Sequence, residues 1–156
     1  MRQTVIKKLE QRGVDLESIA ELVIELQKKY LDISMEKAVE TVKNVLNKRE
    51  VQHAILTGIQ LDELAEKNLL EEPLLSIIKR DEPLYGIDEI LTLGITNIYG
   101  SIGLTNFGYL DKIKLGIVGE VDRMGKETDS VNTFLDDLIC GIVAASCARL
   151  AHGSHA

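Results

Sequence analysis

The chain has no tryptophan, only two prolines and only 4% aromatic residues in 156 positions. Its core must therefore rest on Leu, Ile, Val and Ala rather than on stacked rings. With only Pro73 and Pro83 present, little in the chain forbids long helices. Cysteine is scarce too: Cys140 and Cys147 are the only two. In a single helix their Cα atoms would stand about 10 Å apart, too far for a bridge. Both read as free, buried thiols suited to a reducing cytoplasm. Positive charge is also short, with 18 Lys and Arg against 25 Asp and Glu for a net charge of -7. That balance excludes coating nucleic acid or anionic lipid by bulk attraction, so no nucleic-acid partner is expected. The start, Met1 to Gln11, is charged and has no apolar stretch of the secretory kind, so a cytoplasmic location is expected.

What is present is the composition of one globular domain, 45% hydrophobic and 28% charged. No stretch alternates with period two for long enough to demand a sheet. Met1 to Arg12 reads as a helix stopped by Gly13, with Asp15 and Ser34 as N-caps of the next two. A further helix is predicted from Arg49 to about Lys67, with Ile55, Leu56, Ile59 and Leu64 inward. Pro73 suits the first turn of a short helix over Leu74 to Lys79. Asp81 to Gly86 is a loop, Asp122 to Ser130 a polar stretch, and the last helix runs from about Asn132 to Ala151. Ile90 to Leu110 carries no charge and, as one helix, would be about long enough to span a bilayer. Its Thr92, Thr96, Asn97, Ser101, Thr105 and Asn106, with four glycines, favour a buried central helix instead. The expectation is an all-α, compact multi-helix domain, 1–156, with a central buried helix surrounded by others. The helices of 1–47 are candidates for self-association, which makes a homo-oligomer the expected state, and a frayed tail is expected over Gly153 to Ala156.

Two acidic doublets stand out. Asp136-Asp137 interrupts the apolar run from Phe134 to Ala145. Neighbours on a helix point about 100° apart, so at least one of the two must lie near the buried stripe. An ionised carboxylate there costs several kcal/mol unless it is paired or binds a metal. Against that stands the reading of a wet first-turn pair favoured by the helix dipole. Asp88-Glu89 opens the uncharged segment in the same way, where Asp88 could simply cap. Two helices each bearing two acids can converge on an oxygen-rich site. Such a site suits Mg²⁺, whereas no Cys/His cluster has the spacing for Zn²⁺.

Ile87-Asp88-Glu89-Ile90 and Thr133-Phe134-Leu135-Asp136-Asp137-Leu138-Ile139-Cys140-Gly141 look like two motifs of the phosphatidylglycerophosphatase A family. Leu110-Asp111 with Lys114 resembles the family's Asp-then-Lys segment, and the resemblance runs from about Glu50 to Ala151. The chain is similar to the soluble, all-helical branch of that family. The resemblance implies an Mg²⁺-dependent phosphatase that removes the terminal phosphate from phosphatidylglycerophosphate or a soluble analogue. It implies metal-site carboxylates at Asp88, Glu89, Asp136 and Asp137, and catalytic roles for Asp111 and Lys114. The substrate would then be a phosphate monoester, including a phospholipid met at the inner face of the membrane. The chain departs from membrane-spanning members in lacking a Gly-Thr-x-Gly-Ser stretch, in Gly108 where they carry Arg, and in Leu115 where they carry Pro.

Two other classes compete. A helical assembly or sensor protein could keep the carboxylate site without turnover. A helix-turn-helix module could use Asp15 to Asn47, with Lys37, Lys43, Lys48 and Arg49 on its second helix, although Lys28 to Ile33 is a long connection for that motif. A P-loop fails because five residues separate Gly119 from Gly125 and Glu127 stands where Ser or Thr is needed. His53, between Gln52 and Ala54, reads as a surface or partly buried structural residue.

Overall fold

Asp15 and Ser34 do start helices in the computed structural model of the chain, which describes residues 1–153. The Asp15 carboxylate accepts the Ser18 N–H, and the Ser34 hydroxyl accepts the Lys37 N–H. The helices are α1 (Arg2–Gln11), α2 (Leu16–Gln27), α3 (Met35–Val45), α4 (Arg49–Glu66), α5 (Leu74–Lys79), α6 (Ile87–Thr96), α7 (Ser101–Ile113), α8 (Gly116–Glu127) and α9 (Leu135–Gly153), with a 3₁₀ turn at Asn97–Tyr99. Among the described residues there is no strand, and the architecture is all-α. Most of the expected frayed tail, from Ser154 on, lies outside the described residues.

The buried central helix is α9. Every residue from Val131 to Ala148 is buried, and α2, α3, α4, α6, α7 and α8 all pack against α9. Small side chains let so many neighbours close in. An added Cβ at Gly141 would stand 2.5 Å from Thr92 Cγ2 on α6. One at Gly58 on α4 would stand 2.7 Å from Leu138 Cδ1 and 3.0 Å from Phe134 Cβ. Among the described residues Cys140 and Cys147 are free and buried within α9.

The uncharged segment Ile90 to Leu110 is not that central helix, contrary to expectation. It breaks at Gly100, whose φ of 79° lies in the left-handed region that favours glycine. The two pieces bury one stripe each: Thr92, Ile95 and Thr96 on α6, and Gly103, Phe107 and Leu110 on α7. Their outer sides leave Ile90 63% and Leu104 53% exposed. Lack of charge mimicked all-round burial, but the apolar side chains are too interrupted by Gly and Thr for it. No helix among the described residues is long and apolar enough to cross a membrane.

A further difference concerns a boundary. Asp122 to Glu127, expected as part of a polar stretch, continues α8, because Ile117, Val118 and Val121 anchor that helix through one face alone. The α1–α3 segment contributes to the core. Val5, Leu9, Ile19, Val23, Val42 and Val45 have no exposed surface.

The hairpin of α6 and α7 brackets α9 in a way that gathers charge at one end. Thr92 faces Gly141, and further along the Tyr99 carbonyl lies 3.3 Å from His152 Nε2. Thus α6 runs parallel to α9. The end of α7 returns to the start of α9, where Lys114 meets Asp136. The beginnings of α6 and α9 and the end of α7 therefore share one pole.

Two glycines should respond oppositely to a side chain. Gly58→Val forces atoms into the α4–α9 contact and should lower the free energy of unfolding by about 2–3 kcal/mol. Gly94→Ala, with nothing within 4 Å of its added Cβ, should raise it by up to about 1 kcal/mol. Urea denaturation of both variants measures the difference, and loss of stability in each would contradict the packing described.

Candidate acid site

The site begins with a segment of four residues, 131–134, held from several sides before α9 starts. Arg12 Nη2 donates to the Val131 carbonyl and to Asn132 Oδ1, both at 2.7 Å, and pairs with Glu66 at 2.7 Å. Glu66 accepts the Val131 N–H at 2.8 Å. Asn132 Nδ2 donates to the Val121 carbonyl of α8, and the Thr133 hydroxyl donates to the Ile78 carbonyl of α5. Asp62, fully buried on α4, accepts N–H groups of Phe134 at 3.1 Å and Leu135 at 3.0 Å. It therefore caps α9 from another helix and satisfies donors that burial would otherwise orphan. Burial pushes its carboxyl up to about 8, against the pull of the Phe134 and Leu135 N–H groups and of Arg12.

One residue into α9 come Asp136 and Asp137, only 6% and 4% exposed. Lys114 stands against them. It terminates α7 with φ 54° and ψ 52°, a left-handed conformation unusual for a side chain of its size. This turn sends its ammonium inward, where Nζ donates to Asp111 Oδ1 at 2.8 Å and to Asp136 Oδ2 at 2.7 Å. Burial alone would lower the pKa of Lys114, but the charges of Asp136 and Asp111 outweigh it and raise the value, so the ammonium persists. Burial raises Asp136 in spite of Lys114.

Asp137 is more exposed to its neighbours' charges than to any partner. Its backbone N–H donates to Asp136 Oδ1, but its own carboxylate accepts no hydrogen bond and joins no ion pair among the described residues. Burial raises its pKa, and the negative charges of Asp136, Asp111 and Asp88 add to the rise. Asp88, half-buried, is raised by its own burial and by Asp111, with Lys114 opposing. Four carboxylates thus share one ammonium in a space partly closed to water.

The donor set is oxygen only, and its negative charge exceeds what Lys114 supplies, so a hard divalent cation fits its chemistry. The unpartnered Asp137 carboxylate is the feature such an ion would satisfy. As the side chains stand, no three His, Cys, Asp or Glu groups among the described residues converge closely enough to hold a metal ion. Lys114 lies between two of the four acids instead.

The matching family model is that of phosphatidylglycerophosphatase A, over residues 5–152. The chain belongs to this family. The match takes in α1–α3 as well as the acid pole, and so extends well before the Glu50 boundary read from the motifs. Among relatives of the chain is the uncharacterised protein YpjQ of Bacillus subtilis, 54% identical over 145 residues, covering 92% of this chain and 80% of YpjQ. The uncharacterised YutG of the same organism is 52% identical over 146 residues, covering 93% and 87%. A solved structure of a Bacillus stearothermophilus protein of unknown function superposes with a TM-score of 0.95 at 57% identity, covering 99% of this chain and 95% of that one.

Of the residues singled out in the sequence, Asp88, Asp111, Lys114, Asp136 and Asp137 lie around one pole of α9. Glu89 does not join them. It is exposed, and its side chain enters none of the interactions above. Asp62 and Asp81 belong to none of the sequence motifs, yet both act on this pole. Asp81 sits at the rim, raised by burial and by Asp88, with its charge also felt by Asp136. Asp62 had a legible signal: it falls three residues after Ile59 and seven after Ile55, an acid on the inward stripe of α4.

Asp62 gives a pH test. A buried acid with a raised pKa destabilises the fold as pH rises from its unfolded value near 3.8 to its folded value of about 8, because the folded state must hold a proton or bury a charge. Asp62→Asn keeps an acceptor for the helix start and removes the titration. Its melting temperature should exceed the wild type's at pH 8.5 and converge with it toward pH 4. Asp62→Ala at pH 5 should instead lose about 1–2 kcal/mol through the missing cap. Parallel wild-type and Asn curves between pH 4 and 9 would refute the assignment.

Proposed function

We propose that the chain is an Mg²⁺-dependent hydrolase of phosphate monoesters, acting in the cytoplasm on phosphatidylglycerophosphate at the membrane surface or on a soluble analogue. The reading is supported by family membership and carried by one observation, the buried Asp137 carboxylate without a partner among three other acids and a lysine. Asp137 and Asp88 would hold the ion, with Asp136 completing the set where Lys114 yields it. Mg²⁺, when bound, supplies positive charge to phosphoryl oxygens and acidity to a bound water.

The remaining work falls to the chain's own groups. Lys114 is a tethered point charge placed to meet negative charge developing on a phosphoryl group. Its hold on Asp136 and Asp111 fixes its reach while the site is empty of substrate. Asp111, half-exposed and hydrogen-bonded to Lys114, can accept a proton from an attacking water. Asp62 and Arg12 keep the start of α9 still, so that the acids do not swing as charge changes beside them. A second reading, a helical protein that keeps the carboxylates without turnover, is favoured by the Lys114 bridge, which already neutralises part of the charge without any ion.

Phosphate release from lipid and soluble monoesters, with and without Mg²⁺, separates the two. Turnover should require Mg²⁺ and fall by more than about 100-fold in Asp136→Asn and in Asp137→Asn. Both variants should remain folded, since each side chain keeps its shape. Undiminished Mg²⁺-dependent turnover in Asp137→Asn would reject the proposal. Mg²⁺-dependent thermal stabilisation of the wild type without phosphate release would favour the silent reading.

A further inference from the structure

Beside the acid pole the surface changes sign. A groove of about 310 Å³ runs between the end of α5 and the end of α8, walled by Lys79, Arg80, Asp81, Lys126, Asn132 and Thr133. It gathers three cations against one acid in a chain of net charge -7. The cations at the helix ends also suit the dipoles of α5 and α8. A dipole acts on each end separately, however, and does not ask two helix ends to turn their cations into one groove.

None of the three cations is firmly committed elsewhere. Arg80 pairs with Glu82 at 3.1 Å across side chains 67% and 45% exposed. Lys126 pairs with Asp122 at 2.8 Å, its own side chain 66% exposed and that of Asp122 18%, and Lys79 donates to the neutral Asn68 amide oxygen at 2.9 Å. Exposed ion pairs of this kind contribute little and give way to a better anion. A planar guanidinium beside an ammonium suits the oxygens of a phosphate, which the fork can meet two at a time.

The groove also adjoins the acids. Thr133 in its wall lies three residues before Asp136 and two before α9 begins. Asp81 in its rim feels the charges of Asp88, Lys114 and Lys126 together. We propose that this groove is an oxyanion subsite that holds the phosphate of the substrate beside the acid cluster, with Arg80 and Lys126 as its clamps. The identity of the anion rests on the phosphatase reading above. The existence of an anion site there does not.

The test uses the full chain and inorganic phosphate as the probe, titrated calorimetrically in low salt with EDTA present, so that neither a metal nor turnover is needed. Wild type should bind phosphate, and the double variant Arg80→Gln/Lys126→Gln should bind at least about tenfold more weakly. Lys7→Gln/Lys43→Gln, which removes equal charge elsewhere, should stay within about twofold, since the effect is local rather than one of net charge. Both clamps are surface residues, and an unchanged melting temperature confirms the fold. In a hydrolysis assay with Mg²⁺ the clamp variant should show a raised KM with a smaller change in kcat. No phosphate binding by wild type at about 10 mM, or equal binding by wild type and clamp variant, would overturn the subsite. Loss of binding in the clamp variant with no hydrolysis of any monoester by wild type would uphold the groove and reject the phosphatase reading instead.

Discussion

The start of α9 is a helix terminus placed where water cannot serve it. Its first N–H groups need acceptors, and Asp62 provides them from α4 with a carboxylate that is itself costly to bury. The four residues ahead of that helix are held as well, Val131 by Arg12 and Glu66, Asn132 by Arg12 and Val121, Thr133 by Ile78 and Phe134 by Asp62. Where Asp136 and Asp137 lie follows from this anchoring. A helix begun one residue later would turn both acids by about 100° toward apolar neighbours.

The charges gathered there do not help the chain fold. Partly dry carboxylates repel one another, and the single Lys114 ammonium is reached only through a left-handed backbone at the end of α7. Stability has to come from elsewhere, and it comes from aliphatic contact around α9, where Leu135, Leu138, Ile139, Ile142 and Val143 have no exposed surface. Acids kept at such cost, among groups that push their pKa values upward, are the pattern of a functional site more than of a structural one.

Much of this could be read from the residues. The N-caps at Asp15 and Ser34, the helix opened by Pro73 and the last helix were visible in local chemistry. So was the meeting of Asp88, Asp111, Lys114, Asp136 and Asp137, through their resemblance to family motifs. Absence of charge from Ile90 to Leu110 suggests the central helix there but does not amount to burial. The better sign lay in α9, where small residues such as Gly141, Ala144, Ala145 and Ala148 permit contact on all sides. Glu89 shares a doublet with Asp88 yet lies about 100° around the helix from it and is exposed. The 116–127 helix escaped because a single turn of Ile117, Val118 and Val121 anchors it. Asp62 escaped because an acid on an inward stripe looks like an interruption until its hydrogen-bond partners, more than seventy residues away, are in place.

Thr92 stands four residues beyond Asp88, and Gly141 four beyond Asp137, and these two positions touch. Because α6 and α9 run side by side in the same direction, the gap between the two carboxylates is gauged one turn downstream, at a position with no chemistry of its own. The bare hydrogen of Gly141 sets how wide the mouth of the site can be, so this spacing is inherited through packing rather than through any acid.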